Sequence, residues 1–437
     1  MENYKKDYLK VAMPLAMEGV FLVLLSSVDL IMIGRLGTEA INVVSIFVQP
    51  KMILLCMIRA FAMAVTIVIT HKIATKKTKE IQEIFYQAIV MTVVGMGALH
   101  LLFFSSLRRI LLFVGADKSY IQDAISYGNI MLVAVFIMSL SMMLQAILLG
   151  YKETKAVMKA NVVGNCMTMI SNACFIFGIG IVPRFGVKGA AIGNIIGSSL
   201  AFFYTICILW KKKLCYVPEP FVWIPKKKQV KEIGSIFSGI LLEQGAERVG
   251  MVLYSKMAAG LGTVPFAVHS ICMNVCDLYY NFAQGMGKAS MVFAGQTIGS
   301  EKEEQYEAYK KTGITIGMIF STIACCICFF FRKTILELYT SDIEVIKIGT
   351  VIMIFVAVVS FSEAQAMIAA GNLRGRGKTR QVASYSFVSI TIIRPILTAV
   401  LIYRCNLGIY GAWISLVFDQ TLRAVCASFL LKSQSQR

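Results

Sequence analysis

Lys211-Lys212-Lys213-Leu214-Cys215-Tyr216-Val217-Pro218-Glu219-Pro220-Phe221-Val222-Trp223-Ile224-Pro225-Lys226-Lys227-Lys228-Gln229-Val230-Lys231 is a basic, proline-broken stretch in a chain whose other long stretches are apolar. Proline lacks a backbone N–H and its ring clashes with the preceding turn, so Pro218, Pro220 and Pro225 keep this segment from running on as a helix. Three lysines lead in and three lead out. The stretch therefore reads as a linker between two halves of nearly equal length. The expected division is an N-lobe at 1–210, a linker at 211–231 and a C-lobe at 232–437.

On either side of the linker the composition is that of a membrane protein. Of the 437 residues 57% are hydrophobic and only 15% charged, and the mean hydropathy is +0.71. The apolar residues come in runs of about 20 or more, long enough to cross a ~30 Å hydrocarbon core as helices. Spans are expected near 9–34, 42–70, 82–107, 121–149, 157–182, 187–210, 233–255, 263–296, 309–331, 343–371, 382–403 and 408–431. The fold class is an all-α polytopic membrane protein with about 12 transmembrane helices in two pseudo-symmetric six-helix lobes.

A net charge of +19 suggests nucleic acid until the charges are placed. About 26 Lys and Arg fall on one face of this topology, about 10 on the other and about 7 within spans. The rich face holds Lys5, Lys6, Lys10, the Lys72–Lys79 loop, Lys152–Lys159, the linker, Arg374–Arg380 and Lys432. By the positive-inside rule that face, with both termini, is expected in the cytoplasm. The basic excess is thus topology plus attraction to anionic headgroups, with no nucleic-acid partner. Nearly all of the 12 cysteines lie in apolar spans without zinc-ligand spacing, where free cysteine acts as a small hydrophobe. The first apolar run is long, carries Glu18 and Asp29 and lacks an A-x-A site, so no cleaved signal peptide is expected.

The two halves resemble each other. Leu36-Gly37-Thr38 returns as Leu261-Gly262-Thr263, a shift of about 225 residues. At the same shift Glu18 meets Glu243, Asp117 meets Asp342, and Gly150, Thr154 and Lys155 meet Gly375, Thr379 and Arg380. An even number of spans per half restores orientation, which makes the halves parallel repeats about an axis along the membrane normal. Two such bundles imply a central cleft opened alternately to either side, an architecture of transport rather than catalysis.

Ionisable groups inside spans carry the functional signal, because each costs ~2.5–3.5 kcal/mol at the bilayer centre on insertion scales. Glu243 and Glu247 lie one turn apart and share a face. Glu363 sits in Ser362-Glu363-Ala364-Gln365, and Asp29 lies about three turns beyond Glu18. Such a carboxylate can bind Na⁺ or a proton, removing a buried negative charge and biasing a two-state bundle. The competing reading pairs it with an intramembrane base such as Lys51, Arg59, Lys288 or Arg394. Asp419 and Arg423, four apart, are expected to form a local pair. Gln284-Gly285-Met286-Gly287 reads as a close-packing stretch, and His100 and His269 as buried filler.

With these residues in view the chain resembles the multidrug and toxic compound extrusion (MATE) transporters over nearly its whole length. The resemblance rests on Pro14 followed by Val28-Asp29-Leu30-Ile31-Met32-Ile33-Gly34-Arg35-Leu36-Gly37, on Glu243, and on Gly285-Met286-Gly287-Lys288-Ala289 running to Gly295-Gln296-Thr297-Ile298-Gly299. Its most specific piece is Gly371-Asn372-Leu373-Arg374-Gly375-Arg376-Gly377-Lys378-Thr379. It implies a secondary antiporter that exports cationic or amphipathic small molecules against Na⁺ or H⁺, with no cofactor beyond that ion and no enzymatic activity. Cation or proton coupling falls on Asp29, Glu243 and Glu363, with Na⁺ at Asp29 or at Glu243/Glu363. Asn172, Asn194, Glu18 and Glu247 are expected in support; Asn172 stands where many relatives carry an acid, so a fully charged N-lobe site is in question. The expected setting is a bacterial plasma (inner) membrane, with lipids and the small-molecule substrate as partners of a monomer. A lipid-linked oligosaccharide flippase of the same superfamily is the alternative, for which Lys51, Arg59, Arg248 and Lys288 would supply a basic cleft. An integral-membrane enzyme is disfavoured by the lack of a metal-ligand cluster, nucleotide loop or His/Asp/Ser constellation.

Overall fold

Long apolar runs without proline or glycine clusters have one way to satisfy their backbone in lipid, which is to close every hydrogen bond within a helix. The protein, seen in a computed structural model, forms twelve long helices among its described residues. The structure describes all residues except Met1, Gly37, Gly115, 117–119, 179–182, 215–224, 300–301 and 436–437. Residues 215–224 of the linker, with Pro218 and Pro220, therefore lie outside the described residues, as does the Asp117 of the repeat. The long helices are α1 (Glu2–Gly34), α2 (Thr38–Ala74), α3 (Thr78–Val114), α4 (Ile121–Gly150), α5 (Thr154–Phe177), α6 (Val187–Lys211), α7 (Lys227–Ala259), α8 (Thr263–Gly299) and α9 (Glu303–Phe330). After a short α10 (Arg332–Glu337) follow α11 (Ile343–Gly375), α12 (Thr379–Arg404) and α13 (Gly408–Ser435). No strand occurs among the described residues.

Ten of these helices are long and apolar enough to cross a membrane. The long helices outside that set are α7 and α8, and the sequence shows why. Helix α7 carries Glu243, Glu247, Arg248 and Lys256, and α8 carries Asp277, Asn281, Gln284 and Lys288. Helix α12 is regular except for two wide-turn stretches, Phe387–Ile393 and Val400–Arg404. Pro395 cannot donate to the carbonyl one turn back, and a locally widened helix accommodates that loss. Helix ends follow local chemistry: Gly178 closes α5 at φ 74°, and Asp342 caps α11 by accepting from the N–H groups of Glu344 (2.9 Å) and Val345 (3.4 Å).

The chain forms two compact units, residues 21–234 and residues 1–20 with 235–437. Helix α1 thus contributes its first half to one unit and its second half to the other. In the 21–234 unit, α4 packs on α2, α3 and α6, around Phe47, Leu54, Ile58, Leu107, Tyr127 and Met131. In the other unit α8 and α11 make the most extensive contact, and α11 also meets α9 and α13.

In lipid there is no hydrophobic gain in bringing two apolar helices together, so close approach depends on small residues and van der Waals contact. Each unit has such a seam. On α6, Gly189, Gly193, Gly197 and Ala201 recur every four residues and lie against α5 at Phe175, Asn172, Thr168 and Gly164. Between α8 and α11, a Cβ at Gly287 would stand 2.7 Å from the Met367 carbonyl oxygen, and one at Gly371 would strike the Gly287 carbonyl. Gly285 lies against the α1 backbone at Leu15 and Ala16. The Gly285–Gly287 stretch is therefore a packing surface, as its composition indicates.

This seam gives a direct test. Gly371→Ala should destabilise the protein by ~1–3 kcal/mol, as overpacked sites do, and lower its melting temperature in detergent. Gly95→Ala, where a Cβ meets nothing within 4 Å, should be neutral or slightly stabilising. Equal melting temperatures for the two variants would refute the seam.

Candidate functional site

Each unit holds a cluster of intramembrane charge, and the clusters are built differently. In the 21–234 unit Asp29, on the last turns of α1, accepts a hydrogen bond from Asn172 Nδ2 on α5 at 3.1 Å. Asn172 is 1% exposed, and its Oδ1 has no hydrogen-bond partner among the described residues. That oxygen faces Gly193, where a Cβ would overlap it. The glycine seam of α6 thus makes the space in which Asn172 stands. Lys51 on α2 and Tyr127 on α4 are electrostatic neighbours of Asp29. Asn194 does not join them, because its amide donates to the Ala190 carbonyl of its own helix at 2.8 Å. Of the two asparagines expected beside Asp29, one arrives, and it offers a donor rather than an oxygen.

In the other unit the carboxylates divide into paired and unpaired. Glu243, 3% exposed, is held by Arg374 in a two-point ion pair, with Nε to Oε2 at 3.1 Å and Nη2 to Oε1. Matching the fork of a guanidinium to a carboxylate in this way gives the strongest of the charge-assisted hydrogen bonds. Glu247, one turn on, accepts from the Tyr280 hydroxyl at 2.5 Å and lies within electrostatic reach of Arg423. Asp419 is taken by Arg394, through Nε at 3.0 Å and Nη2, and by the Ser389 hydroxyl at 2.5 Å. This corrects the expected Asp419–Arg423 pair. The wide turn of α12 carries Ser389 and Arg394 onto Asp419, and Arg423 Nε and Nη1 make no hydrogen bond among the described residues.

Glu363 stands apart. It is 2% exposed, its Oε1 accepts a hydrogen bond from the Cys276 thiol at 3.4 Å, and its Oε2 has no partner among the described residues. Among the described residues no basic side chain hydrogen-bonds it; Asp277, Arg394 and Arg423 are its charged electrostatic neighbours. Glu363 and Arg374 lie eleven residues apart on α11, three turns and ~16 Å along one face. Glu243 and Glu363 share no hydrogen-bond partner, so the two expected coupling carboxylates occupy separate environments. A buried carboxylate oxygen without a partner is costly, and a proton or a cation is what offsets that cost.

Glu18 is buried, at 9% exposure, on α1 beside the Gly19 contact with the Asn281 backbone. Among the bases considered from sequence, Arg394 serves Asp419 and Lys51 neighbours Asp29. The base on Glu243, Arg374, was missed because it is 131 residues away and sits at a helix end. Cys276 and Tyr280 also contact these carboxylates, and the sequence alone does not single them out. Their sequence signal is that they recur at one-turn spacing with Gln284 on a helix too polar for a plain span. His100 bonds the Met96 carbonyl and packs on Phe136, and His269 packs among Tyr254, Phe266 and Trp413, so both fill space. Among the described residues no group of three or more His, Cys, Asp and Glu side chains is arranged to hold a metal ion.

Comparison with known proteins gives the same architecture. The profile of the MatE family matches residues 14–174 and 240–400, two segments of equal length displaced by nearly the interval that separates the repeated landmarks. The probable multidrug resistance protein NorM of Thermotoga maritima is 23% identical over 420 residues, spanning 96% of this chain and 90% of that protein. An outward-facing multidrug resistance MATE transporter of the MOP superfamily superposes with a TM-score of 0.92 at 17% identity, covering 99% of this chain and 97% of its own. A MOP superfamily transporter from Pyrococcus furiosus, described as having a binding pocket of reverse polarity, gives 0.90 at 18%, covering 99% and 96%.

The Glu243–Arg374 pair makes a prediction of its own. Arg374→Met leaves a buried carboxylate unpaired and should cost ~3–5 kcal/mol in stability, whereas the double change Glu243→Met with Arg374→Met should recover most of that loss. A double-mutant cycle by thermal unfolding in detergent reads this; additive effects of the two changes would show that the pair is not formed.

Proposed function

Because the chain belongs to the MatE family of membrane transporters, we propose that it is a multidrug exporter of a bacterial plasma membrane, moving cationic or amphipathic small molecules outward in exchange for Na⁺ or H⁺. The observation that carries the reading is the unpartnered Oε2 of Glu363, fully buried in α11. In this reading Glu363 takes the coupling ion. Glu243 is already neutralised by Arg374 and acts as a fixed ion pair, while Asp29, held by Asn172, forms a second and separate acidic position. Binding of a cation or proton at Glu363 removes its negative charge and changes which arrangement of the helices is favoured, as a ligand with different affinity for two states must. One net charge moving inward per cycle down 100 mV supplies ~2.3 kcal/mol, enough to sustain roughly a fifty-fold gradient of an uncharged amphipathic substrate, whereas one-for-one exchange with a monovalent cation draws on the ion gradient alone. The lysines and arginines beside both termini and in the linker support a cytoplasmic position for them.

Proteoliposomes loaded with a fluorescent cationic dye test this. Efflux should follow an imposed Na⁺ gradient or an imposed pH gradient, and Glu363→Gln should abolish the gradient-driven component while leaving dye binding within a few-fold of wild type. Asp29→Asn and Glu243→Gln run beside it. Gradient-driven efflux that survives Glu363→Gln and is lost only in Asp29→Asn would move coupling to the 21–234 unit. Dye that moves under neither gradient would contradict the exporter reading.

A further inference from the structure

The 21–234 unit carries a concave apolar groove on a face that the charged clusters do not use. Its volume is about 350 Å³, within the ~300–1,000 Å³ range of small-molecule sites. It is formed by Tyr86, Ile89 and Val93 of α3, Met143 of α4, and Ile206 and Trp210 of α6, among others. All belong to one unit. Trp210 is 73% exposed and Val93 44%, so the groove opens outward.

Its position along the helices is fixed by contacts at one end. The Lys226 backbone N–H donates to Gln87 Oε1 at 3.2 Å, and Lys226 Nζ reaches Glu83 Oε2 at 2.6 Å. Lys212 Nζ lies 2.5 Å from Glu153 Oε1. The start of α3, the turn after α4 and the end of α6 therefore gather where the linker leaves and rejoins the bundle. The groove begins about one turn in from that edge, where the exposed Trp210 ring suits the headgroup region, and runs along the helices toward the bilayer interior.

Cations stand at the same edge. Lys79 is seven residues before Tyr86, two turns back on the same face of α3, and is exposed. Lys213 follows Trp210 by three residues, just past the end of α6, at φ 52°, and is also exposed. Of the neighbouring lysines, Lys72 and Lys77 pair with Glu80 and Lys212 with Glu153, while Lys76 and Lys211 add further exposed positive charge at this edge. Lys79 and Lys213 have no acidic partner among the described residues. An apolar groove with exposed lysines at its interfacial end matches an amphiphile with one apolar chain and an anionic head.

We propose that this groove is a binding site for an anionic phospholipid, with one acyl chain between α3, α4 and α6 and its phosphate drawn to Lys79 and Lys213. Zwitterionic lipid fits the apolar part equally well, so the lysines set headgroup preference and the groove sets occupancy. Each lysine near a membrane surface contributes about fivefold to the attraction of an anionic headgroup.

Trp210 reports on its own site. In a Trp223→Phe, Trp413→Phe background it is the one remaining tryptophan of three, and phospholipids brominated on the acyl chain quench it on contact. In mixed-lipid nanodiscs, brominated phosphatidylglycerol should quench Trp210 at about ten- to thirty-fold lower mole fraction than brominated phosphatidylcholine. Lys79→Gln with Lys213→Asn, the asparagine tolerating the positive φ, should erase that preference without weakening quenching by phosphatidylcholine. Ile206→Trp is avoided as a probe, and Met143→Phe, which fills the groove, should weaken quenching by both lipids. Native mass spectrometry of the otherwise unaltered chain should show one retained anionic lipid, lost in the double lysine variant. Equal quenching by the two lipids, or a preference that survives removal of both lysines, would overturn the proposal.

Discussion

The hydrocarbon core of a bilayer offers no hydrogen-bond partner, so a charge that folds into it must bring its partner along or wait for one. That constraint orders the polar interior of this protein. Glu243 brings Arg374, and Asp419 brings Arg394 and Ser389. Asp29 brings a neutral amide, with Lys51 as its cationic neighbour. Glu363 brings one weak thiol donor and leaves an oxygen unmet. A stable bundle can carry fixed pairs indefinitely, whereas in the proposed reading the Glu363 oxygen is a position at which an ion changes the energy of the state.

The same constraint explains the backbone around these groups. Long polar side chains need room, and in a lipid-packed bundle room comes from glycine. Gly193 lies against Asn172, the residue that reaches Asp29, and the Gly287–Gly371 contact brings α8, which carries Cys276, tightly against α11, which carries Glu363. The wide turns of α12 do comparable work for Arg394 and Ser389. Packing seams and polar sites are therefore one design in both units, although the residues differ.

Much of this is legible in the sequence because membrane physics is local. A span is a run of apolar residues, and the proline-broken lysine stretch at 211–231 needs no tertiary information to be seen as a divider. The repeat is legible through Leu36-Gly37-Thr38 and Leu261-Gly262-Thr263, and the family profile covers both halves at nearly that interval. Partnerships are not local. Asp419 has Arg423 one turn away in sequence yet is held by Arg394, because a widened turn in α12 redirects that side chain. Arg374 resembles a snorkelling helix-end arginine until α7 is placed beside it. Asn194 and Asn172 read alike in sequence, and only the seam between α5 and α6 separates the one that caps a neighbour from the one that bonds its own helix.

In the proposed mechanism Glu363, and not the arginine-paired Glu243, changes its state when the coupling ion binds. Difference infrared spectroscopy of the reconstituted protein, recording carboxyl bands on switching pH and then on adding Na⁺, addresses it without reference to any substrate. The account predicts an ion-dependent carboxyl band that disappears in Glu363→Gln and persists in Glu243→Gln. A band that is unchanged in Glu363→Gln and lost in Glu243→Gln would contradict it.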